Sequence, residues 1–272
     1  MHKRSHPSER RLSRRALFWL LMAGIPLALL AAFSTFQLLT TFTRNAASQQ
    51  KFDALLLPDS TSVSASSPSA AQSAANQDAG SKAERIAQLF EQYPEMAGWL
   101  SIEDTKLDYP VMQTPDRPSY YLRRDLQGEY DVYGVPYLKE TCNLQDSDNL
   151  VVYGHSIDNG DVFGSLLQYS NIEYFRKHPV IDLYTRDGLR QYTVLGAFIV
   201  DVTPETGDSF AYNDFVQAES SAAFDMFVAE VRARTYYQTD TPAAYGDQLL
   251  TLSTCEYSLP DGRFVVVAVR TA

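Results

Sequence analysis

Few side chains in this chain can form and break covalent bonds near neutral pH. Beyond residue 83 the supply of thiols and imidazoles is Cys142, Cys255, His155 and His178. Cys255 closes the run QLLTLSTC. Read as a strand, Thr251, Ser253 and Cys255 share one face while Leu250, Leu252 and Thr254 share the other, so the thiol stands at a strand end on the more polar face. The loop EYSLPDG follows, and RFVVVAVR begins a second strand. Antiparallel pairing across that loop brings Arg263 opposite Cys255, whereas Arg270, at odd spacing along the same strand, faces the other way. A guanidinium beside a thiol lowers the thiol pKa or donates to an oxyanion formed during acyl transfer. His155 follows NLVVYG, where Gly154 permits a sharp turn, so its imidazole is held by a rigid element yet stands beyond the strand end, as proton transfer requires. A cysteine nucleophile, a histidine acid/base and an arginine oxyanion partner would together make an acyl-transfer site.

Plainer readings compete with this one. Two cysteines in an exported domain can form a structural disulfide, here Cys142 to Cys255, leaving a non-catalytic extracellular binding module. A lone histidine is commonly a turn or core residue, and His178, followed by Pro179, reads as a loop residue. Two Cys and two His lack the close paired spacings of a zinc site. Trp99 and the many tyrosines read as core and groove lining.

The elements that would position these residues are mostly strands. WLSI, LDYPVM, YGVPYLK, NLVVYG, VIDLYT, RQYTVLGAFIVDV, QLLTLSTC and RFVVVAVR are short β-branched and aromatic runs separated by turn formers such as Asp187-Gly188 and Pro260-Asp261-Gly262. Helical spacing of Ile86, Leu89, Phe90 and Tyr93, stopped by Pro94, predicts a short helix ahead of them. Residues 162–169 and 173–177 read as short helical turns. Residues 218–234 read as a longer helix, with Phe224, Phe227, Val228 and Val231 on one face. The fold class is mostly β: eight strands with short connections point to a closed barrel, which removes exposed edges.

Charge divides the 272 residues into two unlike parts. The first 83 residues hold nine Lys/Arg against four Asp/Glu, whereas the remainder holds the other fourteen against twenty-nine and accounts for the net charge of −10. An acidic domain repels phosphate backbones, so nucleic acid is not an expected partner. Residues 16–39 are uncharged and as a helix would run about 36 Å, enough to cross about 30 Å of hydrocarbon. Lys3, Arg4, Arg10, Arg11, Arg14 and Arg15 precede this stretch, which by the positive-inside rule leaves a cytoplasmic tail at 1–15 and everything after it outside the cell. Its length exceeds the apolar core of a cleavable signal peptide, so a retained single-pass transmembrane anchor in the cell membrane is expected. The Ser-, Ala- and Gln-rich stretch within 40–83 reads as a flexible extracellular stalk, and 84–272 as the folded domain.

Three motifs in order, YGH at 153–155, TLSTC at 251–255 and Arg263 in GRFVVV, resemble those of the sortases, the cysteine transpeptidases of the Gram-positive cell surface. The resemblance runs from about Glu84 to Arg270 and is nearest to class B, whose members have a helix before the barrel and a helix inserted before the cysteine-bearing strand. GWLSI, YPVMQ and SYYLRRDLQG resemble the class B opening segment. The resemblance implies an eight-stranded sortase barrel in which Cys255 attacks the carbonyl after Thr in a sorting signal of a surface protein. Arg263 would stabilise the oxyanion and His155 would protonate the leaving amine. It further implies an amine nucleophile from a peptidoglycan cross-bridge or a pilin lysine, no metal or organic cofactor, and recognition of the signal by 202–237. Some class B enzymes carry Asp two residues after the cysteine; here Tyr257 stands there, and no acidic residue joins the catalytic set. Cys142 lies outside the motifs.

Overall fold

A computed structural model describes residues 29–37, 40, 71–203 and 210–272. The chain divides into two compact units, 1–50 and 51–272. In the first, 29–37 and 40 are helical. The rest of the expected anchor at 16–39, and residues 41–70 of the expected stalk, lie outside the described residues; among the described residues no helix is long and apolar enough to cross a membrane.

The second unit opens with helix α1 (Ala71–Gln92), which starts well before the expected helix and reaches back into the stretch read as stalk. Sequence AQSAANQDAGSKAERIAQLFEQ is rich in strong helix formers and free of proline and β-branched residues other than Ile86, which favours this extension. Ile86, Leu89 and Phe90 in its last turns are buried and join the main core, and Pro94 follows its end.

All eight expected strands are present: β1 (Met96–Ser101), β2 (Asp108–Met112), β3 (Tyr137–Leu138), β4 (Asn149–Tyr153), β5 (Val180–Thr185), β6 (Gly188–Asp201), β7 (Leu249–Glu256) and β8 (Gly262–Arg270). They close into a barrel in the order β1-β2-β3-β4-β7-β8-β6-β5. The expected run YGVPYLK yields only the two residues of β3; Pro136 has no N–H to donate to a ladder, and Gly134 sits at φ +58, turning the chain before it. Between β4 and β5 lie a 3₁₀ helix at Gly164–Ser170 and helix α2 (Ile172–Lys177), and between β6 and β7 lies α3 (Ser221–Arg234). Ser220 caps α3 by accepting the Ala223 N–H, 3.2 Å.

Two apolar clusters hold the sheet from both sides. Leu150, Val152, Leu250, Leu252, Phe264, Val266 and Ala268 belong to the cluster that fills the barrel. Leu249, Val265, Val267 and Val269 face the other way and pack with Phe224, Phe227, Val228 and Val231 of α3. The alternation along β7 and β8 is thus buried on both faces, and the polar members of the outer face are satisfied one by one: Thr251 donates to Asn149 Oδ1 at 2.8 Å, and Ser253 shares a 2.6 Å hydrogen bond with Tyr212.

The disulfide reading is corrected here. Both cysteines are free. Cys142 is buried in the main core, where its Sγ lies 3.5 Å from the Asn149 carbonyl and accepts the Val151 N–H at 3.4 Å, while Cys255 is only half-buried at the end of β7. Protein denatured without reductant is expected to titrate two thiols with a colorimetric disulfide reagent; none would restore the disulfide.

Candidate active site

β7 and β8 pair antiparallel with Leu252 opposite Val266, Thr254 opposite Phe264 and Cys255 opposite Arg263. Directly opposed residues in such a pair hold their Cβ atoms about 4.5–5.5 Å apart, so the thiol and the guanidinium stem start from adjacent positions on one face. On its other side β7 pairs in parallel with β4, Tyr153 opposite Ser253, and the Gly154 N–H donates to the Ser253 carbonyl at 3.1 Å. Thr254 returns a hydrogen bond to the Gly154 carbonyl at 2.8 Å. The residue after Gly154 is His155, so the strand that bears the thiol also aligns the chain that bears the imidazole. Cys255, Arg263 and His155 all line one cleft of about 510 Å³, together with Ser119, Leu122, Tyr137, Glu140, Tyr153, Tyr212 and Asn213.

The imidazole is clamped from behind. His155 Nε2 lies 2.8 Å from the Leu122 carbonyl, on the 3₁₀ turn Tyr120–Arg123. A carbonyl can only accept, so Nε2 carries a proton and Nδ1 is the nitrogen that exchanges one. Burial pushes the His155 pKa below its ordinary value; the Leu122 hydrogen bond opposes that shift, and the Arg123 charge adds to it. The turn itself is packed into place: Tyr121 donates to Glu95 at 2.5 Å, Arg117 pairs with the same carboxylate, and the Arg117 guanidinium lies over the Tyr120 ring.

Gly134 is what lets the clamp approach. A Cβ there would come within 2.3 Å of the Leu122 oxygen. At Gly154 a Cβ would meet the Phe163 ring at 2.7 Å, so glycine allows that buried ring to seat under the His155 loop. The loop closes with Ser156 bridging Val162, whose φ of 52 is a strained value for a β-branched residue and whose N–H donates to the Tyr109 hydroxyl at 3.0 Å.

Arg263 is held at Nη1, which meets Asp261 Oδ1 at 2.7 Å and donates to the Gly262 carbonyl at 2.9 Å. Burial alone would depress its pKa, but the Asp261 carboxylate and the negative charge that Cys255 carries as a thiolate raise it, so the guanidinium stays charged. Burial keeps Tyr137, Tyr153 and Tyr212 of the cleft wall protonated by raising their pKa values.

The structure therefore brings together the three residues singled out in the sequence. It sets His178 apart as a buried residue after α2, its Nδ1 2.9 Å from the Glu103 carbonyl. Arg270 is exposed at the far end of β8, with Nε donating to the Ala272 carbonyl. Of the segment read as signal-recognising, Val202, Tyr212 and Asn213 line the cleft, and 204–209 lie outside the described residues. Sequence reading missed the Leu122 carbonyl and Asp261. The former has no side-chain signature, and the latter stands in the Pro-Asp-Gly-Arg turn, where an aspartate is expected for backbone reasons. Among the described residues no group of His, Cys, Asp and Glu could hold a metal ion.

A thiol and a guanidinium in register on a closed barrel, with an imidazole in the same cleft, define a cysteine acyl-transfer architecture. The sortase domain family matches residues 100–271, and the chain belongs to the sortases, a family of cysteine transpeptidases. Its similarity lies with class B. It is 28% identical over 177 residues to sortase B of Staphylococcus aureus, covering 64% of this chain and 69% of that protein. To sortase B of Listeria monocytogenes it is 28% identical over 176 residues, with 63% and 68% covered. The structure of a Staphylococcus aureus sortase B–substrate complex superposes with a TM-score of 0.62 at 25% identity, covering 69% of this chain and 85% of that one.

The clamp on His155 makes two opposite expectations for its titration, followed by NMR of the ring nitrogens. Gly134→Ala, by displacing the Leu122 carbonyl, lowers the pKa further and lets the Nδ1–H tautomer appear. Arg123→Gln removes a repulsive charge and raises it. Movement of both in the same direction would contradict the clamp.

Proposed function

We propose that this protein is a membrane-anchored class B sortase that cleaves a C-terminal sorting signal after threonine and transfers the acyl group to an amine of the cell wall or of a pilin. The observation that carries the reading is the opposition of Cys255 and Arg263 on one strand pair, with His155 lining the same cleft. In this reading the Cys255 thiolate attacks the scissile carbonyl. Charge collects on the carbonyl oxygen as the tetrahedral species forms, and the Arg263 guanidinium stabilises it by charge-assisted hydrogen bonds. His155, protonated at both nitrogens at this stage, gives the Nδ1 proton to the departing amine while Nε2 stays on the Leu122 carbonyl. Collapse leaves a thioester on Cys255. An incoming amine loses a proton to Nδ1, attacks the thioester and releases the thiolate.

The tyrosine-lined cleft supports a peptide as occupant: its aromatic rings offer apolar faces to side chains. The uncharged stretch at 16–39 and the cations before it support the anchor, with the catalytic domain outside the cell, and 41–70 would serve as a tether between membrane and domain. The reaction as written needs no metal or organic cofactor, only a sorting-signal peptide and an amine.

A pentapeptide-library cleavage assay on the full chain in detergent, with and without an added amine, tests the assignment. Cys255→Ala is expected to abolish both cleavage and amine transfer. Arg263→Ala should lower kcat by about 10²–10³, the usual cost of one oxyanion donor, and His155→Ala by about 10²–10⁴, that of a general acid. Cys142→Ala should retain activity. Full turnover by the Cys255→Ala protein would overturn the mechanism.

A further inference from the structure

Arg263 has five N–H groups on three nitrogens, and the structure engages it at Nη1, which lies 2.7 Å from the Asp261 carboxylate and donates to the Gly262 carbonyl at 2.9 Å. Among the described residues Nε and Nη2 make no hydrogen bond. The guanidinium is planar and rigid, so fixing one terminal nitrogen at two points fixes the direction of the remaining three donors.

The backbone of Asp261 is itself held. Its carbonyl accepts the Val202 N–H at 3.1 Å, just beyond the point where Asp201 of β6 pairs with Gly262 of β8. The carboxylate is therefore carried on an extension of the β6–β8 ladder rather than on the free part of the turn. The ion pair adds little to folding, because the Asp261 and Arg263 side chains are 45% and 29% exposed and pairs so exposed are screened. Its geometry bears instead on the cleft, since Arg263 lies opposite Cys255. Tyr257, two residues after the cysteine, is 75% exposed and cannot supply a carboxylate.

We propose that Asp261 is a positioning residue for the reaction: its carboxylate, with the Gly262 carbonyl, locks Nη1 of Arg263 so that the Nε and Nη2 donors face the oxyanion formed at the carbonyl attacked by Cys255. The inference rests on the reading of Arg263 as the oxyanion partner. Free of the lock, the side chain regains rotamers, and the fraction of time its donors spend aligned falls. Asp261 touches neither thiol nor substrate in this scheme and acts through Arg263.

Two reactions of the same thiol separate this role from general damage. With p-nitrophenyl acetate, the Cys255 thiolate forms a C–S bond to the acetyl carbon, an oxyanion develops, and the C–O bond breaks to release p-nitrophenolate. With iodoacetamide the thiolate displaces iodide and no oxyanion forms. Both rates are measured on the full chain in detergent, with the adduct located on Cys255 by mass spectrometry. Asp261→Ala is expected to slow ester acylation by about tenfold, within the range of couplings between contacting residues, without slowing alkylation. Asp261→Asn, whose amide oxygen can still accept from Nη1, should stay within about threefold of the parent, a hydrogen bond being kept while the charge is lost. In an Arg263→Ala background, itself slow in acylation, Asp261→Ala should cost nothing further. Equal slowing of both reactions, an Asn variant as slow as the Ala variant, or an undiminished penalty without Arg263 would each overturn the positioning role. If Arg263→Ala alone left acylation unchanged, the oxyanion reading would fail first and this inference with it, a result distinct from failure of Asp261 alone.

Discussion

The register between β7 and β8 is the constraint on which the cleft depends. A shift by one residue in either strand would turn every side chain to the opposite face, sending Arg263 into the barrel and Leu252 out of it. The two clusters make such a slip costly from both sides: Leu250, Leu252, Val266 and Ala268 are buried in the barrel, while Leu249, Val265, Val267 and Val269 are buried under α3. Each face alone would specify the pairing. Together they hold Cys255 opposite Arg263 at the loop end of the hairpin, where the last residues of β7 and the first of β8 leave the core and Cys255 and Arg263 become half-buried. Rigidity comes from the buried stretch, and reactivity needs the exposed end.

A second pairing extends the same logic to the imidazole. Because β4 runs parallel to β7 and ends in Tyr153 opposite Ser253, with the Gly154 N–H on the Ser253 carbonyl, His155 emerges at the same end of the barrel as Cys255. What then orients the ring is a backbone carbonyl, that of Leu122, on a turn braced by Glu95, Arg117 and Tyr121. A neutral acceptor sets the tautomer without adding a charge that would hold the imidazolium. Burial then leaves the His155 pKa below its ordinary value, with only the Leu122 hydrogen bond opposing it. The left-handed Val162 near the same loop is a local cost of this arrangement, held by the Tyr109 hydroxyl and the packing of Phe163.

Much of this was legible in the sequence because it rests on alternation. RFVVVAVR and QLLTLSTC are β-branched or apolar at nearly every position, as strands buried on both faces must be, and the facing of Thr251, Ser253 and Cys255 followed from period two. So did the opposition of Cys255 and Arg263. Closure order was not legible: parallel pairing of β4 with β7 depends on long-range packing that leaves no local trace. β3 shrank because Pro136 and Gly134 override the apolar pattern around them, and α1 grew backwards because alanines and glutamines in a polar stretch favour helix without any amphipathic signal. The Leu122 carbonyl was invisible for a simpler reason, since every residue has one. Asp261 was hidden in a turn whose Asp and Gly are expected for backbone reasons alone, so its carboxylate gave no hint of a partner two residues on.

The central claim is that an acyl group resides on Cys255 and leaves it for an amine. Intact-mass spectrometry of the full chain, quenched in acid after single-turnover mixing with a peptide selected by library cleavage, reads that state directly. A mass increase equal to the acyl fragment, mapped to Cys255 and lost when an amine is added with matching formation of the amide product, is the expected result. Cleavage of the peptide with no covalent adduct, or an adduct on another residue that the amine discharges, would contradict it.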